Sequence, residues 1–363
     1  MMQKPKIMQW LKEKDPDRLA ELWRRADEVR RLQVGDDVHL RGLIEISSHC
    51  VRRCHYCGLR RENRKIHRYR LRREEILACV RQAAEFGYGT VVLQSGEDRE
   101  ITGDWMTNLI GQLKSETDLA ITLSLGERTC DELTAWRRAG ADRYLLRFES
   151  SNKTLYRKIH PSLPGQQCDR MELLQVLGEL GYEVGSGIMI GLPGQRYEDL
   201  AEDIVTFSKL DVDMIGVGPY LPHPDTPLGK AAAGKNHNDP EQVPNNERMT
   251  YKTLALTRLL CPEVNLPSTT ALATINRTAG REQGLCRGAN VVMPNLTPTE
   301  YRALYEIYPA KACCFEPAKE FHAHLMRQIG ALGRTVGKGP GASIRYLKRT
   351  ENKIDNQRKV PQL

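Results

Sequence analysis

Cys50-Val51-Arg52-Arg53-Cys54-His55-Tyr56-Cys57 sets the reading of the whole chain. Three thiolates on one short loop can ligate three irons of a [4Fe–4S] cube and leave the fourth iron open. A zinc site would more usually draw four ligands from two knuckles, and no second C-x-x-C pair follows. Clustered cysteines flanked by arginines and a tyrosine suit a cluster loop better than a packed core, where thiols serve as small hydrophobes. The loop directly follows the apolar run Val38–Ile46. That order predicts a strand with the thiols at its C-terminal end.

Upstream, Ile7, Trp10, Leu11, Leu19, Leu22, Trp23, Val29 and Leu32 recur at helical spacing and predict a helical cap over residues 6–34. Downstream, apolar β-prone runs alternate with amphipathic stretches. The expected strands are Leu40–Ile46, Thr90–Gln94, Ala120–Leu125, Arg143–Phe148, Val184–Ile190, Met214–Tyr220, Leu266–Thr274 and Asn290–Met293. The stretches between them, such as Glu74–Phe86, Trp105–Lys114, Cys130–Ala139, Asp169–Leu180, Tyr197–Leu210 and Arg248–Leu260, read as helices. Strand-then-helix alternation implies a parallel sheet, and eight such units imply an α/β fold closed as a (β/α)₈ TIM-type barrel. Gly229–Asn246 reads as a polar surface loop. The organisation expected is a helical cap over 1–36, a barrel over 37–332 and a basic tail over 333–363.

In its 363 residues the chain carries 54 Lys and Arg against 46 Asp and Glu, a net charge of +8. Arg52, Arg53, Arg60, Arg61, Arg64, Lys65, Arg68, Arg70, Arg72 and Arg73 crowd the cysteine loop. With aromatics at only 6% and no stacking platform, charge compensation around an anionic cluster and anionic ligands is a better reading than nucleic-acid binding. No apolar run approaches the roughly 20 residues that a membrane helix requires. The first residues lack the apolar stretch of a secretory signal, and the scattered cysteines form no disulfide framework, so reduced thiols in the cytoplasm are expected.

In such a barrel, chemistry gathers at the C-terminal strand ends. That rule collects the cysteine loop, Gln94–Asp98, Ser124–Glu127, Arg147–Glu149, Gly187–Gly194, Pro219–Pro224, Thr269-Thr270 in the seventh strand, and Met293–Asn295 at one rim. The C-x-x-x-C-x-x-C spacing after a first strand resembles the radical SAM superfamily. Cys54–Arg61, His67–Arg70, Leu93–Asp98, Thr122–Glu127, Ala141–Arg147, Gly191–Gln195, Pro222–Leu228 and Gly288–Asn295 resemble the HydE family of [FeFe]-hydrogenase maturases. The similarity runs from about Val38 to about Glu316.

That resemblance implies a [4Fe–4S] cluster held by Cys50, Cys54 and Cys57. It also implies S-adenosyl-L-methionine, whose reductive cleavage at the open iron yields a 5′-deoxyadenosyl radical. Tyr56 is then placed against the adenine, with Met189 and Ile190 lining its pocket. Gln94 and Glu149 match cofactor contacts, a carboxylate suiting the ligand's ammonium group, and Arg170 suits its carboxylate through a bidentate pair. Thr122, Ser124, Arg147, Thr269, Thr270, Met293 and Tyr305 match positions lining the family's substrate cavity. Arg147 is the most informative of these, because an arginine inside a barrel needs an anionic partner. The family's substrate is held to be an organometallic iron species carrying CO, cyanide and cysteine, on the way to the hydrogenase di-iron subcluster. The resemblance further implies an external electron donor of ferredoxin or flavodoxin type and other hydrogenase maturases as partners, with neither nucleic acid nor membrane. Methylornithine synthase and biotin synthase are related alternatives. Biotin synthase draws an internal cluster's ligands from barrel strands, whereas Cys79, Cys130, Cys168, Cys261 and Cys286 here fall on predicted helices or loops.

Some family members hold a second cluster near the C-terminus through a cysteine and a later C-x-x-C. Here Cys313 and Cys314 are followed by Glu320-Phe321-His322-Ala323-His324 instead, and those histidines read as solvated. We therefore expect anaerobic reconstitution to load about four irons per chain; a reading of about eight would show that a second cube exists.

Overall fold

The computed structural model describes residues 2–165, 169–232, 239–312 and 314–358. Six of the apolar runs become the parallel strands β1 (Asp37–Ser47), β2 (Thr90–Ser95), β3 (Ala120–Ser124), β4 (Arg143–Leu145), β5 (Glu183–Ile190) and β6 (Met214–Pro219). β7 (Val291–Val292) pairs with the other side of β1, giving the order β6-β5-β4-β3-β2-β1-β7. Every residue of β5 and β6 is buried, as expected for strands covered on both faces. Helices Arg73–Glu85, Gly103–Glu116, Cys130–Ala139, Arg170–Glu179, Tyr197–Lys209 and Glu247–Leu260 lie between successive strands.

The seventh expected strand departs from expectation. Leu266–Thr274 does not form a strand. Asn265 bridges Met214 and Pro267 bridges Val291, both in parallel, and this short segment closes the ring between β6 and β7. The Asn265 N–H donates to Asp213 O and the Ser268 N–H to Val291 O, each at 2.9 Å. Pro267 has no N–H to extend a ladder. Two residues later Thr269 caps a helix, Thr270–Ile275, by accepting the Leu272 N–H. Likewise β4 stops at Leu145 rather than Phe148. Beyond it Glu149, in the left-handed region at φ 63°, rejoins β5 through a bridge to Ile188.

The expected cap is two helices, Lys4–Lys12 and Pro16–Val34, the second capped by the Asp15 carboxylate. Lys252, on the barrel helix beneath, donates its Nζ to Leu11 O at 2.7 Å and also to Glu13 O, which satisfies the end of the first helix. At the opposite side the chain beyond Gly333, expected as a basic tail, closes the barrel floor. β8 (Thr335–Val336) adds to the start of β1. Pro340 O accepts from Thr90 and Arg143, Gly341 O accepts from Arg41 and Asn265, and the Ser343 N–H donates to Glu183. A helix follows over Ile344–Arg358. No helix among the described residues is long and apolar enough to cross a membrane. Residues 233–238 of the expected Gly229–Asn246 loop, Cys168, Cys313 and residues 359–363 lie outside the described residues.

The floor holds two buried guanidiniums around one carboxylate. Arg143 pairs with Glu183, and Arg41 lies 3.9 Å from the same side chain. Breaking a buried pair from one side leaves an uncompensated charge and costs ~3–5 kcal/mol. Glu183→Ala is therefore expected to lower the unfolding free energy by about 3 kcal/mol in urea titrations; a loss below about 1 kcal/mol would show that the floor charges are already compensated.

Candidate active site

A register shift between Glu45 and Ser47 ends the regular pairing of β1 with β2 and turns the chain into the cysteine loop. The Ser47 hydroxyl donates to Asp98 at 2.7 Å, and Asp98 takes Arg70 through two bonds of 2.6 and 3.0 Å. Arg68 ties the loop from within, donating to the carbonyls of Ser48, Leu59, Arg60 and Asn63. Backbone bonds then fasten it to its neighbours: Val51 to Glu97 O, His55 to Ile159 O and Gly58 to Ile307 O. Gly58 must be glycine here, because a Cβ would sit 2.1 Å from Glu306 O. Much of the basic cluster therefore acts as scaffolding for the cysteine loop.

Cys54 is buried and Cys50 and Cys57 are half-buried, and all three line one cavity. Burial pushes all three thiols upward in pKa, Cys57 to about 12; neighbouring thiols add to this at Cys54 and Cys57, and the Glu97 charge adds to it at Cys50. Three thiolates can coexist there only with a cation to neutralise them. No group of three His, Cys, Asp or Glu side chains among the described residues is gathered closely enough for a single metal ion. A cube makes a different demand, since each thiolate binds its own iron. The donor set fits a cubane and does not fit a lone zinc.

One carboxylate organises the rim behind the thiols. Glu127 pairs with Arg52 and, at 2.8 Å, with Arg170 Nε. Arg52 also reaches Glu97 at 2.8 Å, and Glu97 accepts the Glu127 N–H. Burial alone would raise the pKa of Glu127, but the charges of Arg170 and Arg52 beside it hold it well below the usual carboxylate range. Arg170 additionally donates to Arg147 O at 2.7 Å and to His160 Nε2 at 3.0 Å. The His160 Nδ1 lies 3.1 Å from Cys54 Sγ. Burial and the Arg170 charge push His160 down to about 4.

The cavity, about 340 Å³, runs from the thiols down the barrel axis. Of the residues marked out from sequence, Tyr56, Gln94, Glu149, Arg170, Met189, Ser124, Arg147, Thr269, Thr270, Met293 and Tyr305 line it. Two do not. Ile190 is fully buried in the core between strands and helices, because side chains alternate along β5 and Met189 takes the inward position. Thr122 shares the inward face of β3 with Ser124 but lies a layer deeper, fully buried, with its hydroxyl unpartnered. Tyr56 and Met189 join Leu155, Ile159, Leu192, Tyr220 and Leu228 in a separate apolar cluster beside the thiols. Arg147 finds its anionic partner within the chain: its Nε donates to both Glu149 oxygens at 3.1 and 3.0 Å, and its Nη2 donates to Ile188 O. A Cβ at Gly187 would sit 2.3 Å from Gly216 O, so glycine here permits the close approach of β5 and β6 beside the Arg147 stem.

Several cavity residues escaped the sequence reading. Glu45, on β1, accepts from Lys311 Nζ at 2.7 Å and Asn295 Nδ2 at 3.0 Å, and all three line the cavity with Tyr308. Lys311 also donates to Tyr305 O. The inward position of Glu45 was available from strand alternation; nothing in local spacing marks Lys311, Tyr308 or His160. His322, expected to be solvated, stacks on Phe86 with ring centroids 4.5 Å apart and bonds to the Tyr88 hydroxyl. His324 is exposed.

The chain and its fold have counterparts among known proteins. Residues 44–206 match the Radical SAM superfamily. Over 327 residues, 90% of either chain, the sequence is 45% identical to the [FeFe] hydrogenase maturase subunit HydE of Thermotoga maritima. The chain belongs to the HydE family. The family's radical SAM relatives are visible too: 3-methylornithine synthase of Methanosarcina acetivorans is 29% identical over 280 residues, 76% of this chain and 74% of that one. A crystal structure of methylornithine synthase superposes with a TM-score of 0.79 at 25% identity, covering 93% of this chain and 95% of that one. The maturase HydG shares the fold, with a TM-score of 0.77 at 17% identity over 97% of this chain and 77% of its own.

Within this HydE-family rim, Glu127→Gln leaves Arg52 and Arg170 charged without their shared counter-ion. A loss of about 3 kcal/mol in unfolding free energy is expected. Stability within about 1 kcal/mol of the parent would mean that Glu97 alone compensates both arginines.

Proposed function

We propose that this chain is a radical S-adenosyl-L-methionine enzyme acting in assembly of the [FeFe]-hydrogenase di-iron subcluster. Its support is one observation: the three thiols and eleven of the thirteen cofactor and substrate residues marked from sequence line a single cavity, in a chain 45% identical over 90% of its length to a HydE. Cys50, Cys54 and Cys57 hold the [4Fe–4S] cluster, which when bound supplies the electron that breaks the C5′–S bond. The apolar cluster around Tyr56 and Met189 receives the adenine and keeps water from it. Glu149 takes the cofactor's ammonium group, Arg170 its carboxylate, and Gln94 a further polar contact.

The Arg147–Glu149 pair adds a linkage between the two ligands. An ammonium group at Glu149 competes with Arg147 for the same carboxylate, so cofactor binding frees guanidinium donors toward the interior. Ser124, Thr269, Thr270, Met293 and Tyr305 complete that interior, with Arg147 as its cation, for a small or organometallic iron substrate. Thr122 and Ile190 contribute by packing. An external electron donor of ferredoxin or flavodoxin type supplies the reductant, and other hydrogenase maturases are partners of this chain in the cytoplasm.

A methylornithine synthase-like mutase shares the fold at a TM-score of 0.79, but the identity of 29% to such enzymes falls well below that to HydE. The deciding experiment is hydrogenase activation in a defined maturation mixture, intact protein against Cys54→Ala. Activation by the intact protein and none by the variant is expected, with 5′-deoxyadenosine formed only by the former. Equal activation would remove the cluster from the mechanism; cofactor cleavage without activation would favour the mutase.

A further inference from the structure

Resting on the radical SAM reading above, we propose that His160 is a positioning residue that donates its Nδ1–H to the Cys54 sulfur and raises the reduction potential of the cluster held there. The tautomer follows from the partners. Arg170 Nη2 lies 3.0 Å from His160 Nε2, and a guanidinium can only donate. The Nε2 therefore presents its lone pair, and the single proton of the neutral ring is on Nδ1, 3.1 Å from Cys54 Sγ. Glu127 Oε1 is 3.4 Å from the same Nε2, but no proton there can point at it while Arg170 occupies the lone pair.

The ring has little freedom to do otherwise. His160 is 4% exposed, its N–H donates to Tyr156 O at 2.8 Å, and its ring stacks on Tyr156 at 5.2 Å between centroids. Arg170 is held in turn by Glu127 and by Arg147 O, so the donor direction is set by the charged rim rather than by the thiol loop. A hydrogen bond to a ligand sulfur draws charge from it and favours the more negative, reduced cluster. The Cys50 sulfur accepts a backbone N–H, from Glu97 at 3.3 Å, which no side-chain substitution removes. His160 is thus a point at which the potential is adjustable by sequence.

The test is a redox titration followed by the EPR signal of the reduced cluster in the intact protein, His160→Leu and His160→Asn, with iron content measured in each. Asparagine can present an amide N–H near the position of Nδ1; leucine cannot. At a fixed potential the ratio of reduced to oxidised cluster is expected to fall about tenfold in the leucine variant, about 59 mV for one electron, and to recover largely in the asparagine variant. Identical titration of the leucine variant and the parent overturns the proposal, as does an equal shift in both variants. Should leucine prevent cluster assembly, pulsed EPR on parent protein labelled with ¹⁵N-histidine decides. A nitrogen coupling at the reduced cluster that disappears in His160→Asn is expected, and its absence from the parent overturns the proposal. A parent protein that holds no cluster contradicts the radical SAM reading instead.

Discussion

The carboxylate of Glu127 is the contact on which the rim depends. It sits after β3 and meets Arg52 from the loop after β1, and Arg170 from the helix that follows β4. Arg52 brings in Glu97 from the end of β2, and Arg170 brings in His160. Four strand ends are thereby held by charges that are largely withdrawn from water. Such an arrangement gains little over an apolar one of the same shape, but it is costly to break from one side. Its yield is direction: with its Nε held by Glu127, Arg170 donates to Arg147 O and to His160, whose other ring nitrogen faces Cys54.

The two ends of the barrel solve the same electrostatic problem differently. At the rim, arginines are neutralised by carboxylates drawn from several loops. At the floor, Arg41 and Arg143 share Glu183, and each also donates to one backbone carbonyl, Gly341 O and Pro340 O respectively. The C-terminal segment is thus part of the barrel's closure, and the cavity opens at the thiol end. Between these charged layers Arg147 and Glu149 neutralise each other, so the interior is polar without a net unpaired charge.

Legibility from sequence was high where one local rule governed. The thiol spacing, the strand-end rule and period-two alternation located the cavity and most of its lining. They faltered where two local rules competed. Leu266–Thr274 is apolar and β-branched, yet Pro267 withholds a donor and Thr269 caps a helix, so the run divides. Met189 and Ile190 are adjacent on β5, and neighbouring residues on a strand face opposite ways, so only Met189 reaches the cavity. From Thr335 to Gly341 the closing contacts are made largely by backbone groups, which carry no side-chain signal, whereas the helix beyond is tied down by Arg345 to Asp211 and by Arg349 to Asp211 and Asp213.

The sequence by itself determined the chemistry and the class of fold: three thiols on one loop, at the end of the first of a series of strand–helix units, allow few alternatives. It determined these because ligand number and strand alternation are local properties of the chain. Only the tertiary structure decided which charges meet. Glu127 follows β3 whereas His160 and Arg170 follow β4, and Glu45 and Lys311 are separated by most of the barrel, so no spacing along the chain encodes their distances. Coulomb and hydrogen-bond partners are chosen by proximity in space, and in a closed barrel proximity is created by the curvature of the sheet.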